Sequence, residues 1–339
     1  MYLPTERLAA LRRARHLDGG AAAHRIYAGL RWLAIIATLG MLVVLIQGTL
    51  VTNSGSAAGC GNTWPLCRGQ IIPELSGVAN AGTLIEFTHR AGVPIESTLI
   101  LVLSVGAMWF WRGRREAWVL APIMIVFLFL QALLGGLAVM YPTSAEVLAA
   151  HFGISLVAFA SVLLTAAFVI EASGAEQVRQ IALPVRLRNL IWATIAYTYV
   201  VVYMGAYVRH VNASLSCLDW PLCNGAVIPR FVTGVAAQFT HRVGAGLLTI
   251  LIVGLFFEAR KTRASRPDLF AGATAALVLV VCQAISGGIV VLTKLAIVST
   301  LAHSFFVALL FGTLAYMCLH TFPLPRPRTT PQARAEPTT

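Results

Sequence analysis

The chain has 339 residues, of which 58% are hydrophobic and only 11% are charged. A soluble domain requires a larger charged fraction to cover its surface, so this composition excludes an ordinary water-soluble protein. The formal net charge of +12 would indicate nucleic-acid binding in a soluble protein, but here the charges lie almost entirely between hydrophobic segments. A positive excess there is typical of the cytoplasmic loops of membrane proteins. We therefore expect a lipid bilayer as the environment and no nucleic-acid partner.

Eight apolar segments are each long enough to cross the hydrocarbon core, which takes about 20 helical residues. Helix is the expected form, because backbone polar groups in lipid must be satisfied within the spanning segment. The sequence therefore predicts an all-α integral membrane protein with eight transmembrane helices. The predicted spans are 28–51, 84–111, 117–140, 146–171, 188–209, 236–258, 269–293 and 296–320.

Lysine and arginine predict the orientation of these spans. They are concentrated in the N-terminal tail, in the loops after spans two, four and six, and in the C-terminal tail. Because cytoplasmic loops carry the positive excess, we expect both termini in the cytoplasm. The first span is too long for a cleavable signal and lacks a cleavage-like end. The Arg-rich tail has the character of a mitochondrial presequence, but it is short and contains Glu6 and Asp18, which favours a bacterial plasma membrane protein.

The loops after spans one and five each carry two cysteines. The predicted topology places both pairs on the oxidising side of the membrane, where the disulfides Cys60–Cys67 and Cys217–Cys223 are the expected state. Their short spacing is compatible with disulfide geometry but does not establish it. A redox-active dithiol is the alternative, because Trp-Pro-Leu directly precedes the second cysteine of each pair.

The sequence also repeats itself. Three motifs return 152 residues later, and an outer-loop motif returns at a slightly different distance that loop-length changes explain. Each repeat contains four spans, an even number, so both halves have the same orientation in the membrane. The implied architecture is two four-helix bundles related by a pseudo-twofold axis along the membrane normal. The matches are EFTHR at 86–90 with QFTHR at 238–242, QALLGG at 131–136 with QAISGG at 283–288, His151 with His303, and CGNTWPLC at 60–67 with CLDWPLC at 217–223.

This repeat predicts how the chain is divided. Two four-helix halves are joined by a short cytoplasmic linker and flanked by cytoplasmic tails, of which the polar, Pro-rich C-terminal tail is expected to be disordered. The predicted segments are the N-terminal tail 1–27, the N-terminal half 28–172, the linker 173–187, the C-terminal half 188–321 and the C-terminal tail 322–339.

Four of the eight histidines occupy repeat-related places. His89 and His241 lie in the first turns of spans two and six, and His151 and His303 lie one to two turns into spans four and eight. All four are therefore predicted at one depth, near the outer face. Two facing imidazoles can supply both axial ligands of a haem iron, and four-helix interiors commonly hold haem. A bond to a neighbouring helix is the alternative for any single histidine, and zinc is disfavoured because no third ligand of matching depth is evident.

Arginines and glycines flank these histidines. Arg90 and Arg242 directly follow the first histidine of each pair, at the membrane edge, where a haem would present its propionates. Because arginine pairs carboxylates through bidentate hydrogen bonds, we predict propionate binding by both; snorkelling to the interface is the alternative. The glycine pairs 135–136 and 287–288 leave room for a flat macrocycle, although close helix packing explains them equally well.

An acid distinguishes the two halves. Glu86 lies three residues before His89 and shares its helix face, whereas the equivalent Gln238 cannot ionise. A carboxylate beside a haem pocket can move protons or stabilise positive charge, so Glu86 is predicted to be catalytic and the N-terminal half to be the catalytic one. The alternative is the ordinary preference for acids near a helix N-terminus. Glu96, whose counterpart is Leu248, is expected to face a cavity or a partner.

Together, the eight spans, the duplicated unit, EFTHR with QFTHR, and the two Trp-Pro-Leu-Cys loops resemble the haem A synthase family over nearly the whole chain. The resemblance implies an oxidoreductase that converts haem O to haem A, oxidising the methyl group at porphyrin C8 to a formyl group by two successive hydroxylations. It implies that His89 and His151 hold the substrate haem, with Glu86 required for catalysis. It also implies that His241 and His303 are axial ligands to the iron of a haem b cofactor that transfers electrons.

The resemblance extends to the loops and to partners. The Cys60–Cys67 pair resembles the loop cysteines of the family, although its loop is one residue longer than that of Cys217–Cys223, which leaves the loop geometry open. A haem O synthase and a terminal oxidase are implied partners, and a homo-oligomer stays open. A dihaem b-type electron carrier and a transporter with parallel repeats are the other classes. The acid at Glu86 favours the enzyme, since pure electron transfer needs no such group.

Overall fold

The structure is a computed structural model that describes residues 20–74, 81–171 and 181–322. Within these residues the chain forms eight long α-helices and one short 3-10 helix, with no β-strand. The predicted N-terminal tail before residue 20, most of the linker 173–187 and the C-terminal tail after residue 322 lie outside the described residues. The helices are α1 (Gly20–Asn53), α2 (Ala81–Phe110), α3 (Arg115–Met140), α4 (Ala145–Glu171), α5 (Val185–His210), α6 (Thr233–Lys261), α7 (Pro267–Leu292) and α8 (Ile297–Leu319).

All eight helices are long and apolar enough to cross a membrane, which confirms the predicted all-α fold with eight spans. Helices α1 and α2 begin at Gly20 and Ala81, before the predicted starts at 28 and 84. Hydropathy detects only the apolar part of a helix, whereas its backbone hydrogen bonds continue into the polar flanks. Pro94 and Pro122 lie inside α2 and α3 without ending them, which membrane helices tolerate because neighbouring groups satisfy the freed carbonyls.

The helices have equivalent neighbours in each half of the chain. Helices α1 and α3 each contact α2 and α4, and helices α5 and α7 each contact α6 and α8. The halves meet where α4 packs on α5 and α8, and where α8 packs on α1. The predicted pseudo-twofold relation between the halves stays a prediction.

The centre of the molecule lies between α4 and α8. Phe159 of α4 and Phe311 of α8 are buried in one cluster with Met41 of α1. Gly312 makes this approach possible, because a Cβ at that position would lie 3.2 Å from the ring of Phe159. Burial in lipid brings no hydrophobic gain, so the close packing of large side chains on small ones holds the halves together.

A charged cluster joins the halves at the end of the bundle where α4 ends and α7 begins. Arg266 is only 1% exposed and donates to the carboxylate of Asp268, with an Nη2–Oδ2 distance of 2.7 Å, and to the carbonyl of His320. The ring of His320 bonds to Asp268 and to Glu171 of α4. Burial alone would lower the pKa of His320, but these two carboxylates outweigh it and raise the pKa. Such pairing is what a buried charge requires.

Candidate functional site

Two short loops close the opposite end of the bundle, which we call the cysteine-loop end. The loop after α1 contains the disulfide Cys60–Cys67, and the loop after α5 contains the disulfide Cys217–Cys223, as the sequence predicts. In each loop the second cysteine exchanges two backbone hydrogen bonds with the residue three positions later. The two loops therefore share one bonding pattern, and the extra residue of the first loop leaves it intact.

The second loop has its own internal support. The carboxylate of Asp219 accepts hydrogen bonds from the backbone N–H groups of Gly225 at 2.7 Å and Asn224 at 2.6 Å. The bond from Gly225 is the main reason that the pKa of Asp219 lies below its usual range. In the first loop a neutral hydroxyl, that of Thr63, accepts from Gly69 at 3.2 Å instead. A carboxylate and a hydroxyl thus support the same type of turn.

A tryptophan from each loop lies against a glycine on the third helix of its half. A Cβ at Gly136 would lie 3.1 Å from the ring of Trp64, and a Cβ at Gly288 would lie 2.8 Å from the ring of Trp220. Any larger residue would push the loop away from the helix. The second glycine of each predicted pair therefore makes room for a loop side chain.

The first loop is attached to α2 by Glu86 and Arg90. Glu86 is 3% exposed, and its Oε2 accepts the backbone N–H of Cys60 at 2.7 Å, while its Oε1 accepts from Arg90. Arg90 also donates to the carbonyls of Leu66, at 2.8 Å, and Thr63. Both carboxylate oxygens are thus engaged, and the pair fixes the loop over the helix end.

Gln238 and Arg242 attach the second loop to α6 in the same way, but without a charge pair. The Oε1 of Gln238 accepts the backbone N–H of Cys217, and its Nε2 donates to the carbonyl of Ser214 at 2.7 Å. Arg242 donates to the carbonyl of Leu222. Glu86 and Gln238 therefore share a structural task, and only Glu86 adds an anion to it. Propionate binding by Arg90 and Arg242 stays a prediction, and it must coexist with these loop contacts.

Each of the four predicted haem-binding histidines lies against a glycine of the preceding helix. A Cβ at Gly48 or Gly135 would lie 3.2 or 3.4 Å from Cε1 of the adjacent ring. At Gly205 and Gly287 the distances would be 2.7 and 3.0 Å. The pairs are His89 with Gly48, His151 with Gly135, His241 with Gly205, and His303 with Gly287. The sequence did not reveal Gly48 and Gly205, because the segments around them are too dissimilar to be recognised as a repeat.

Within each half the two predicted haem-binding histidines lie in electrostatic range of each other. His151 lies close enough to His89, and His303 close enough to His241, to interact electrostatically. Nδ1 of His89, His151 and His241 is buried and makes no hydrogen bond within the described residues. The fit to haem rests on the pairing of these buried imidazoles, because two imidazoles are a common axial ligand set for haem iron. These residues fit a haem.

His303 is the exception, since both of its ring nitrogens have partners. Nδ1 lies 3.0 Å from the hydroxyl of Ser286, and Nε2 lies 3.1 Å from the amide nitrogen of Gln283. The corresponding glutamine of the first half, Gln131, instead contacts the sulfur of Met41. The two histidine pairs therefore differ in their immediate surroundings as well as in the acid.

The N-terminal half has further buried polar groups between α1 and α2. Glu96 is 3% exposed, and its Oε1 has no hydrogen-bond partner within the described residues. Its carboxylate lies against Gly40, where a Cβ would clash with it. Gln47, whose Oε1 also lacks such a partner, lies against Gly92 in the same way. Sequence reasoning identified Glu96 as unusual but missed Gln47.

The two halves are also joined near the histidines. Arg209 at the end of α5 donates to Oδ1 of Asn53 at 2.8 Å and to the carbonyl of Thr52 at 2.9 Å. The next residue, His210, lies within electrostatic range of His151. A residue of the C-terminal half thus lies near the N-terminal pair, which the repeat could not reveal because His210 has no repeated counterpart.

Comparison with known proteins identifies the family. Residues 31–315 match the COX15-CtaA family, described as cytochrome oxidase assembly protein. The heme A synthase of Bacillus pumilus is 43% identical over 298 residues, covering 86% of this chain and 94% of that protein. The heme A synthases of Bacillus licheniformis and Geobacillus kaustophilus are 42% and 40% identical over 86% of this chain, covering 95% and 90% of their own lengths. The chain is thus a multi-pass membrane protein that belongs to the COX15-CtaA family.

Proposed function

We propose that this protein is a haem A synthase, an oxidoreductase that converts the C8 methyl group of haem O to the formyl group of haem A by successive hydroxylations. The observation that carries the proposal is the pair of matched histidine sites, of which one adjoins an acid and the other an amide. The names of relatives about 40% identical to the chain support the same activity. Haem O is a large amphipathic macrocycle, which suits a site between membrane helices.

In this proposal the N-terminal half binds haem O through His89 and His151. The carboxylate of Glu86 is held by Cys60 and Arg90 one helical turn before His89, so it cannot swing away from the site. A fixed negative charge at this position stabilises positive charge that develops during oxidation, or accepts a proton. Arg90, which is already bonded to the loop, places its charge directly after His89, where the haem propionates would lie.

The C-terminal half binds haem b through His241 and His303. Haem b supplies electron transfer when it is bound, and Gln238 places a neutral amide where the first half has the acid Glu86. Arg242 follows His241 as Arg90 follows His89, and it would form ion pairs with the propionates of haem b. The two disulfide loops act as covers for the sites, each held down by its arginine and its tryptophan.

The proposed orientation places the cysteine-loop end outside the bacterial plasma membrane and both termini in the cytoplasm. Two disulfides at one end favour an oxidising compartment on that side. Basic residues at the opposite end, including Arg112, Arg186 and Arg260, agree with the positive-inside rule. A haem O synthase as supplier and a terminal oxidase as recipient are the proposed partners.

Extraction of the pigments tests this proposal. The full-length protein is produced together with a haem O synthase, purified in detergent, and its haems are separated and identified by mass. Haem b together with haem O, haem A or the alcohol intermediate is the expected result. Two haem b molecules per chain would support a dihaem electron carrier instead, and a protein without haem would support a transporter.

A further inference from the structure

We propose that Ser286 is a positioning residue for the permanent haem, and that Leu134 at the matching place makes the N-terminal site the one that releases its haem. Ser286 fixes the tautomer and orientation of the His303 ring, whereas His151 has no such hydrogen bond to Nδ1 within the described residues. This inference rests on the proposed function, because it assigns the two histidine pairs to a resident cofactor and to a substrate.

The hydrogen bonds of Ser286 determine which nitrogen of His303 carries the proton. The Oγ of Ser286 lies 3.0 Å from the carbonyl oxygen of Gln283 and 3.0 Å from Nδ1 of His303. Because a hydroxyl has one proton and a carbonyl can only accept, the two hydrogen bonds form together only when the hydroxyl donates to Gln283. Nδ1 of His303 must then donate to the hydroxyl. Nε2 is left with its lone pair, the form that binds iron.

A second bond agrees with this assignment. The side-chain Nε2 of Gln283 lies 3.1 Å from Nε2 of His303, where an amide N–H can donate to that lone pair. Both contacts are therefore compatible with the same tautomer. Nε2 of His303 would hold the iron in place of its contact with Gln283, whereas Ser286 contacts the other ring nitrogen and its bond would be kept.

The N-terminal site lacks both contacts. Leu134 stands where the repeat places Ser286 and has no hydrogen-bonding group. Nδ1 of His151 is buried without a partner within the described residues. Both rings lie against equivalent glycines, so the surrounding backbone is similar and the difference lies in these side chains.

This difference suits the two tasks. A hydrogen bond to the outer nitrogen of a ligating histidine holds the ring and raises its basicity, and its loss typically lowers metal affinity about 10- to 100-fold. A cofactor must remain through many turnovers, whereas a substrate must enter and a product must leave in each. A histidine with a hydrogen bond to its outer nitrogen suits a cofactor that must be retained. A histidine without that bond suits a substrate and product that must be exchanged.

Haem transfer to an excess of apomyoglobin measures the effect in the full-length, haem-loaded protein. For S286A we expect haem b to leave about 10- to 100-fold faster and its midpoint potential to rise, since a less basic ligand stabilises the ferric iron less. S286T keeps the hydroxyl and is expected to retain both properties. In the reciprocal variant, L134S, we expect slower release of haem O or haem A, with L134A as the control for lost volume.

The outcomes distinguish an error about the role of Ser286 from an error about the location of haem b. Unchanged haem b release and midpoint potential in S286A, with haem b present, would overturn the role of Ser286. Equal effects in S286A and S286T would also overturn it, because packing alone would then explain them. Haem b that persists in H241A and H303A would instead contradict the proposed location of the cofactor, whatever S286A does.

Discussion

The N-terminal and C-terminal halves place similar histidines, glycines and loop tryptophans against one another, yet they differ in the groups that touch them. The first half has a carboxylate at Glu86, a buried acid at Glu96 and, among the described residues, no hydrogen bond to Nδ1 of His151. The second half has an amide at Gln238 and a hydroxyl on His303. A duplicated frame can thus keep its geometry while its chemistry diverges through a few side chains. Reciprocal exchange of these side chains is the direct way to examine the difference.

The largest effect is expected from E86Q, which gives the first half the amide of the second. Glutamine can still accept the N–H of Cys60, as Gln238 does from Cys217, so the loop should stay attached. The negative charge beside His89 is lost, and we expect product formation to fall about 100-fold or more while haem content is unchanged. Haem A formed per chain and total haem are measured together. Q238E is the matched control and should retain activity; full turnover in E86Q would remove the catalytic role.

A second effect should depend on how closely each histidine ring approaches the glycine that it contacts. G205A places a Cβ 2.7 Å from His241, whereas G135A places one at 3.4 Å from His151, an ordinary contact. We expect G205A to lower stability by about 1–3 kcal/mol and to reduce bound haem b, because overpacking displaces the ring. G135A should change neither property. Thermal unfolding and haem content are the measurements, and equal behaviour of the two variants would contradict the close contact at Gly205.

A third comparison concerns Glu96, whose counterpart is Leu248. Replacing this buried acid with leucine removes a polar group whose Oε1 lacks a partner within the described residues, and we expect a gain of about 1–3 kcal/mol in stability. The substitution introduces no larger side chain against Gly40. Thermal melting of E96L beside E96Q, which keeps the polarity, measures the effect. A lower melting temperature for E96L would show that the acid has a partner that stabilises the fold.

The smallest effect is expected at the charged cluster that joins the halves. Because the carboxylates of Asp268 and Glu171 raise the pKa of His320, the protonated ring stabilises the folded protein. This contribution is complete below the pKa of the unfolded chain and is lost as the pH rises through the folded value. Melting temperature should therefore fall from pH 6 to pH 9, and H320Q should flatten that fall. An unchanged slope in H320Q would assign the pH dependence to other groups.

Much of the fold could be predicted because lipid imposes a simple requirement. About 20 apolar residues must stand together for each crossing, so the eight spans are visible in the sequence without homologues. The repeat then located His89, His151, His241 and His303 in equivalent places, and within each half the two histidines lie in electrostatic range of each other, while haem binding stays a prediction. Helix ends were less predictable, since α1 begins at Gly20, eight residues before the predicted start, where hydropathy gives no signal.

Contacts between side chains distant in the chain could not be predicted. The arginine after each first histidine was expected to face propionates, but it also donates to the carbonyls of a loop 20 or more residues away in the chain. Ser286 is visible as the difference between QALLGG and QAISGG, yet only the structure places its hydroxyl on His303. Gly48 and Gly205 have no local signature, because their importance comes from rings on another helix.

The way in which the first loop is anchored also identifies a place for engineering. Its contacts to α2 and α3 come from Gly59, from Cys60 and from the stretch between Thr63 and Leu66, whereas the carbonyl of Gly61 makes a long bond to Arg90 at 3.4 Å. The second loop is one residue shorter at this point and keeps equivalent anchors. A peptide tag inserted after Gly61 should therefore report which side of the membrane this surface faces in intact cells, with both histidine pairs undisturbed.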